Sequence, residues 1–304
     1  MRVFVSQPLP EPSSSELLAG FEVVVGRPGA WESEAPHHLP GSDALVPTPR
    51  ERVTEALLAL APRLKVVANC AVGTDNVDLD ACRRRGVVVT NTPGVLTDAT
   101  ADVTWLLILA VTRRFREGEA LIRSGSWDGW KPLELLGTSL DGKTLGVYGM
   151  GRIGKAVARR AEAFGMRVVG TVETDPPEAF ERLLAESDVL TIHAPLTPAT
   201  RGRFGAPELA RMKEGAVLVN TARGPVVDEA ALASALASGH LGGAGLDVFE
   251  KEPAVHPGLL GLPNVVLLPH LGSATTESRL GMARTACEEA ARVLRGEEPR
   301  NRVA

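Results

Sequence analysis

Glycines 149, 151 and 154 lie between a short apolar run and an amphipathic stretch, and that spacing suits one kind of chemistry. Leu145-Gly-Val-Tyr148 reads as a strand, Gly149-Met-Gly-Arg-Ile-Gly154 as its turn, and Lys155–Phe164 as the helix that follows. In such a setting the first glycine permits the tight turn and the second lets the backbone approach a pyrophosphate. The third lets helix and strand pack closely. The N–H groups and dipole of the helix start then hold the anion. The chemistry indicated is dinucleotide binding. The next strand, Arg167–Val172, leads into Glu173, about 20 residues beyond Gly154, where a ribose-binding acid belongs. Its carboxylate can accept from both ribose hydroxyls and would repel a 2′-phosphate; the alternative is a solvated surface glutamate.

Other chemistries find less support. No Asp, His or Cys spacing suggests a metal, and no serine sits in a nucleophile elbow. His193 falls at a strand's C-terminal end, where open α/β sheets place ligands, so it and Pro195 are expected to border the cofactor, with His193 structural. His37, His38, His240 and His256 have no such context and are expected to face solvent.

The elements that position these residues follow from hydrophobic patterning. Val/Ile/Leu runs alternate with amphipathic stretches almost throughout, the signature of βαβ units and parallel sheets. Strands are expected at Val3–Val5, Val23–Val25, Ala44–Val46, Lys65–Ala68 and Val87–Thr90. Leu79–Arg85 reads as a helix stopped by Gly86, and a long helix should run from Ala99 to Arg116. The stretch from Gly125 to Gly142, rich in Trp, Gly and Pro, has no period and reads as a loop arm. A second βα series spans Thr144 to Leu268. The last helix, Thr276–Leu294, should bury Leu280, Ala283, Cys287, Ala290 and Leu294 on one face.

Length and composition fit a two-domain soluble protein: 304 residues, 44% hydrophobic and 23% charged. A net charge of −4 without a basic tail gives no footprint for nucleic acid. Cys70, Cys82 and Cys287 form no disulfide framework, and the start of the chain lacks a signal peptide's apolar core, so a reducing cytoplasm is expected. The longest apolar run, Trp105 to Val111, is far short of the ~20 residues a bilayer span needs.

The chain resembles the D-isomer-specific 2-hydroxyacid dehydrogenase family. The matching motifs are Asn69-Cys-Ala-Val-Gly-Thr-Asp-Asn-Val-Asp78, Thr92-Pro-Gly-Val-Leu-Thr-Asp-Ala-Thr-Ala101 and the glycine loop. They continue with His193-Ala-Pro-Leu-Thr197, Asn220-Thr-Ala-Arg-Gly224, Gly245-Leu-Asp-Val-Phe-Glu-Lys-Glu-Pro253 and Pro269-His-Leu-Gly-Ser-Ala274. Within the family, the Trp-Lys-Pro of segment Trp127–Pro132 is most similar to glyoxylate/hydroxypyruvate reductases. The resemblance implies an α/β fold of two parallel, doubly wound domains. A Rossmann dinucleotide-binding domain (98–271) would be inserted into a flavodoxin-like substrate domain (1–97 and 272–304).

It also implies reduction of a small 2-oxo acid, which needs a carboxylate anchor, a proton and a hydride donor. Arg223 suits the anchor, because a guanidinium binds a carboxylate bidentately and polarises the carbonyl. His270 suits the proton, and Glu252, directly before Pro253, can hydrogen-bond that imidazole and keep it charged. Alone, such an Arg is usually a surface residue and such a His usually packs; the matching motifs reverse that. Further cofactor contacts are implied at Thr97, Met150, Arg152 and Ile153, and at Glu173, Thr174, Pro195 and Thr200. Thr221, Ala222, Arg223, Asp247, His270 and Gly272 complete that set. NAD(H) is favoured and NADP(H) remains open: the usual ribose acid would fall at Val172, but Glu173 and Asp175 follow and no Arg lies between Gly170 and Phe180.

The substrate is expected at Val72, Gly73, Arg223 and His270. Gly73 lets backbone amides approach its carboxylate; a plain turn glycine is the alternative. Family members are typically homodimers joined through their cofactor domains, and Trp130 is placed against the partner's active site. Two other readings stay open: a phosphoglycerate dehydrogenase, many of which carry a further C-terminal domain, and a non-enzymatic NAD(H)-sensing corepressor. No nucleic acid or membrane partner is expected.

Overall fold

The computed structural model describes all residues, Met1–Ala304. The chain divides into two compact units, residues 1–96 with 274–304 and residues 97–273. Both are α/β with all-parallel sheets, as the alternating apolar runs require.

The first unit carries β1 (Arg2–Val5), β2 (Glu22–Val25), β3 (Ala44–Val46), β4 (Val66–Ala68) and β5 (Val88–Thr90). Their order, β2-β1-β3-β4-β5, is the flavodoxin-like arrangement. Phe4, Leu45, Val67 and Val89 are fully enclosed because strands covered on both faces must be apolar throughout. Helix Thr276–Leu294 has the bounds expected from its period, and Thr275 caps it by accepting the Ser278 N–H at 3.1 Å. Ala283, Cys287, Ala290 and Leu294 are buried as expected, whereas Leu280 is only half-buried. The C-terminal tail pairs with β5: Val89 N–H donates to Ala304 O at 2.9 Å and Val303 N–H to Val89 O at 2.7 Å. That pairing covers an otherwise open sheet edge.

The second unit carries β6 (Thr144–Tyr148), β7 (Arg167–Thr171), β8 (Val189–Ile192), β9 (Val217–Asn220), β10 (Gly243–Leu246) and β11 (Val265–Leu267). The order β11-β10-β9-β8-β6-β7 reverses direction between β6 and β8. In open α/β sheets the crevice at that reversal, beyond the strands' C-terminal ends, is where ligands bind. One face of the sheet packs on Tyr148, Phe180, Leu183 and Phe204, the other on Trp105, Leu107, Ile108 and Val157. β10 contains Gly243 and Gly245 because the helix running above leaves no room: a Cβ on Gly245 would meet Leu107 Cβ at 2.8 Å.

The long helix expected over 99–116 is shorter and shifted. It spans Thr97–Thr112, and a second helix, Phe115–Arg123, restarts after Arg114, whose φ is +51°. The break comes from tertiary partners that a periodic pattern does not register. Thr138 N–H donates to Thr112 O at 2.8 Å, and Gly137 passes so close to that carbonyl that no Cβ would fit. The restarted helix buries none of its residues. Residues 124–143 form no helix or strand, matching the expected arm.

Candidate active site

The turn after β6 is built as the glycine pattern requires. Gly149 has φ +102°, and a Cβ there would strike Ala194 N at 2.4 Å and His193 C at 2.5 Å, so β6 and β8 can end side by side only at glycine. A Cβ on Gly154 would strike Gly149 O at 2.1 Å. Gly151 differs: it caps helix Arg152–Ala161 with φ −75°, and nothing lies within 4 Å of where its Cβ would be. The N–H groups of Met150 and Gly151 find no acceptor in the protein. An open cradle beside unpaired amides at a helix start fits a pyrophosphate. Met150 itself packs over Gly170, where any side chain would collide with it.

At the end of β7, Asp175 turns back on its own strand. Its Oδ2 accepts the Val172 N–H and the Thr171 hydroxyl, both at 2.9 Å, and these bonds hold the carboxyl below its usual range. That leaves Glu173 as the projecting acid; it is exposed and accepts the Thr197 hydroxyl at 3.3 Å. Thr200 is fully buried and spends its hydroxyl on Pro195 O (2.6 Å) and the Thr197 N–H (2.8 Å), so it shapes the loop that carries Pro195. The His193 ring is half-buried by surface, but the protein around it pushes its pKa down to about 3. It is therefore neutral, with Nε2 on the Thr191 hydroxyl at 3.0 Å. Of the histidines expected to face solvent, only His37 is exposed. His38 lies against Phe4 (5.0 Å between rings), His240 Nε2 bonds Leu209 O (3.1 Å), and His256 Nδ1 caps a short helix at Gly258 N–H (3.2 Å). The His38 and His240 rings meet partners brought by packing, whereas His256 is held by its own helix start, two residues on.

Arg223, Glu252 and His270 follow the C-terminal ends of β9, β10 and β11. Glu252 Oε2 meets His270 Nδ1 at 3.0 Å, while its Oε1 accepts the Phe249 N–H at 3.1 Å. Burial pushes the Glu252 carboxyl up. The His270 hydrogen bond and charge, the Phe249 N–H and the Arg223 guanidinium outweigh it, so the group lies below the usual range. An ionised carboxylate has no proton to share, so Nδ1 carries the hydrogen and Nε2, which has no protein partner, points its chemistry elsewhere. Gly224 lets the chain after Arg223 pass against Phe249, whose carbonyl carbon would lie 1.8 Å from any Cβ there.

His270 holds φ +57°, unusual for a residue with a Cβ. Asp247, fully buried at the end of β10, maintains it: its backbone O accepts the His270 N–H (2.9 Å), Oδ1 the Leu271 N–H (2.6 Å) and Oδ2 the Gly272 N–H (2.7 Å). Burial raises the Asp247 carboxyl above its usual range even against those two donors. Thr100 completes the turn by donating to Gly272 O at 2.9 Å.

Two holding groups escaped the sequence reading. The Asn220 amide accepts from Ala222 N–H (3.0 Å) and donates to Arg223 O (2.9 Å), which locks the arginine's turn. Glu229, buried, accepts the Glu250 N–H (2.6 Å) and His256 N–H (3.1 Å) and so clamps the loop bearing Glu252. Asn220 stood in a quoted motif; nothing local marked Glu229. Thr97, Ala222, Ile153 and Arg223 are half-buried, Arg152 and Thr174 are exposed, and buried Thr221 pairs its hydroxyl with Thr104 at 2.9 Å. In the other unit, Val72 and Gly73 lie half-buried after β4.

Known proteins are similar to this chain in sequence and fold. The model of the D-isomer specific 2-hydroxyacid dehydrogenase NAD-binding domain matches residues 105–272. A glyoxylate reductase of Thermococcus litoralis is 45% identical over 99% of this chain and 96% of its own length. This chain belongs to the D-isomer specific 2-hydroxyacid dehydrogenase family. Membership makes it a nicotinamide-dependent dehydrogenase. The crystal structure of a Thermus thermophilus protein, 48% identical, superposes with a TM-score of 0.94 over the whole of both chains. The structure of an NADPH-dependent glyoxylate/hydroxypyruvate reductase from Sinorhizobium meliloti, bound to NADP and malonate, gives 0.89 at 35% identity, covering 100% of this chain and 96% of that one.

Because Gly151 faces open space, Gly151→Ala should leave the melting temperature unchanged while raising the Kd for the reduced coenzyme about tenfold or more, by about 1.4 kcal/mol per decade. Fluorescence titration checks this. Glu252→Gln keeps an acceptor for Nδ1–H but removes the negative charge that favours the proton, so the alkaline limb of the reduction rate should move to lower pH. A kcat/KM profile across pH 6–10, on the order of ten points, reads the limb directly.

Proposed function

We propose that this enzyme reduces a small 2-oxo acid of the glyoxylate or hydroxypyruvate type to the 2-hydroxy acid. The Glu252–His270 pair beside the Arg223 turn is the observation that carries this reading. Bound nicotinamide supplies the hydride. Arg223 draws the substrate carboxylate and polarises the 2-carbonyl, so negative charge on the developing alkoxide meets a fixed cation. His270 delivers its proton from Nε2, and Glu252 steadies the ring in both protonation states. Within its own unit, the loop of Val72 and Gly73 offers backbone N–H groups suited to a carboxylate. The relatives named for glyoxylate or hydroxypyruvate support the substrate class.

Glu173 is the group we assign to the adenosine ribose. Its exposed carboxylate at the end of β7, with no Arg between 170 and 180, supports NAD(H) over NADP(H), in contrast to the NADPH-dependent Sinorhizobium relative. A carboxylate facing a 2′-phosphate opposes binding by repulsion and desolvation. A homodimer is also proposed, joined through unit 97–273. Phe115, Ile122, Trp127, Trp130, Leu133 and Leu136 are all more than half exposed, with Trp130 at 82%, and such a patch asks for a partner. We place Trp130 at the partner's active site. No helix is long and apolar enough to cross a membrane. All three cysteines are free and buried, and that thiol state supports a reducing compartment such as the cytoplasm.

Arg223→Ala should lower kcat/KM for glyoxylate or hydroxypyruvate by on the order of 10²–10⁴, since a charge-assisted anchor and the polarising cation vanish together. A substrate panel followed at the nicotinamide absorbance tests both the function and the residue; a variant within tenfold of wild type would remove Arg223 from the mechanism. The same assay with the two coenzymes should favour NADH severalfold, and a tenfold preference for NADPH would mean that Glu173 points away from the ribose. Sedimentation at micromolar concentration should show a dimer; a fully active monomer contradicts the interface.

A further inference from the structure

The loop after β4 is held in a way that its sequence does not announce. Three successive carbonyls there, those of Ala71, Val72 and Gly73, each accept a hydrogen bond from the body of their own unit. Thr92 N–H donates to Ala71 O at 2.9 Å, Asn91 Nδ2 to Val72 O at 2.8 Å and Asn69 Nδ2 to Gly73 O at 2.8 Å. In a trans peptide the C=O of one residue and the N–H of the next point in opposite directions. Tying down those carbonyls therefore turns the N–H groups of Val72, Gly73 and Thr74 the other way. None of the three has an acceptor in the protein, although all three residues are half-buried.

Unpaired backbone N–H groups at partly buried positions are expensive, and three in succession form a concave anion site. Of the two holding side chains, Asn69 is itself tied in by a second asparagine. Asn69, fully buried, exchanges hydrogen bonds with Asn76 (3.1 and 3.0 Å), and Asn76 Nδ2 also donates to Thr48 O and Glu51 O, each at 3.1 Å. Cys70 N–H donates to Pro47 O at 2.9 Å. The asparagines thus fix the loop's peptide planes against the loop that follows β3.

We propose that Asn69 and Asn91 are positioning residues for substrate binding: by holding the Val72 and Gly73 carbonyls inward, they keep the N–H groups of Gly73 and Thr74 aimed outward beside that of Val72, whose peptide the Thr92 N–H holds through Ala71 O, as a three-donor cradle for the substrate carboxylate. The inference rests on the reading of this loop as the carboxylate site and extends it to Thr74 and to the two side chains behind it. Neither asparagine touches the substrate.

The test pairs kinetics with amide chemical shifts. Asn91→Asp replaces a donor with a carboxylate oxygen facing the Val72 carbonyl, so that peptide loses its anchor at nearly constant volume. Asn91→His restores an N–H donor on a longer side chain, and Asn69→Asp repeats the experiment at Gly73. Each aspartate variant should raise KM for glyoxylate about tenfold or more, with kcat lowered far less and KM for NADH unchanged; Asn91→His should recover part of the loss. In wild-type enzyme saturated with NADH, oxamate should shift the amide resonances of Val72, Gly73 and Thr74, and in Asn91→Asp those shifts should shrink. Wild-type amides that ignore oxamate would overturn the carboxylate reading itself. If they respond, but the aspartate variants keep the wild-type KM and shift pattern, the positioning role alone fails. An aspartate variant that does not fold passes the decision to Asn91→His and the other aspartate, read in the same way.

Discussion

The buried carboxylate of Asp247 is the constraint on which the proposed chemistry depends. It sits at the end of β10 with no solvent access, and its two oxygens and backbone carbonyl hold three consecutive N–H groups, those of His270, Leu271 and Gly272. Only that grip explains a left-handed φ at His270, a conformation that costs a residue with a Cβ on the order of 1–2 kcal/mol. With the backbone so fixed, the imidazole presents Nδ1 to Glu252 and leaves Nε2 without a protein partner, as the proposed proton delivery needs. Replacing the grip by water would free the ring to rotate and the histidine to relax.

The same device recurs around the site. Asn220 locks the turn that carries Arg223, and Glu229 clamps the loop that carries Glu252. Asn69 and Asn91 do the equivalent for the loop after β4 in the other unit. Each functional group lies on an irregular segment beyond a strand, where no ladder satisfies the backbone. A buried acceptor or amide behind the loop replaces the ladder, and because unpaired buried groups are costly, each such bond selects one loop shape. The groups proposed to react, Arg223 and His270, can then be half-exposed without being loosely placed.

Glycine serves the opposite purpose at the coenzyme turn. Gly149 and Gly154 are required because backbone already fills the space where a side chain would go, whereas Gly151 leaves that space open, as the proposed pyrophosphate site needs. One motif therefore contains two kinds of necessity, folding at its ends and ligand approach at its middle.

Much of this was present in the linear sequence. The strand runs, the terminal helix Thr276–Leu294 and the strand–turn–helix at Gly149–Gly154 are set by local periodicity and backbone sterics, which act over a few residues. The roles given to Arg223, Glu252 and His270 came from motif resemblance. Tertiary structure alone decided the rest. It placed the break at Arg114, because Thr138 reaches Thr112 from 26 positions away. It brought Thr197 to Glu173 from 24 positions away, whereas Asp175 turns back on its own strand through purely local bonds. It recruited Glu229, whose partners at 250 and 256 are distant in sequence, and it gave His38 and His240 their contacts. Periodicity reports which face of an element is apolar. Which buried polar atom meets which loop N–H depends on where the chain returns in space, and that is fixed only when the sheet is assembled.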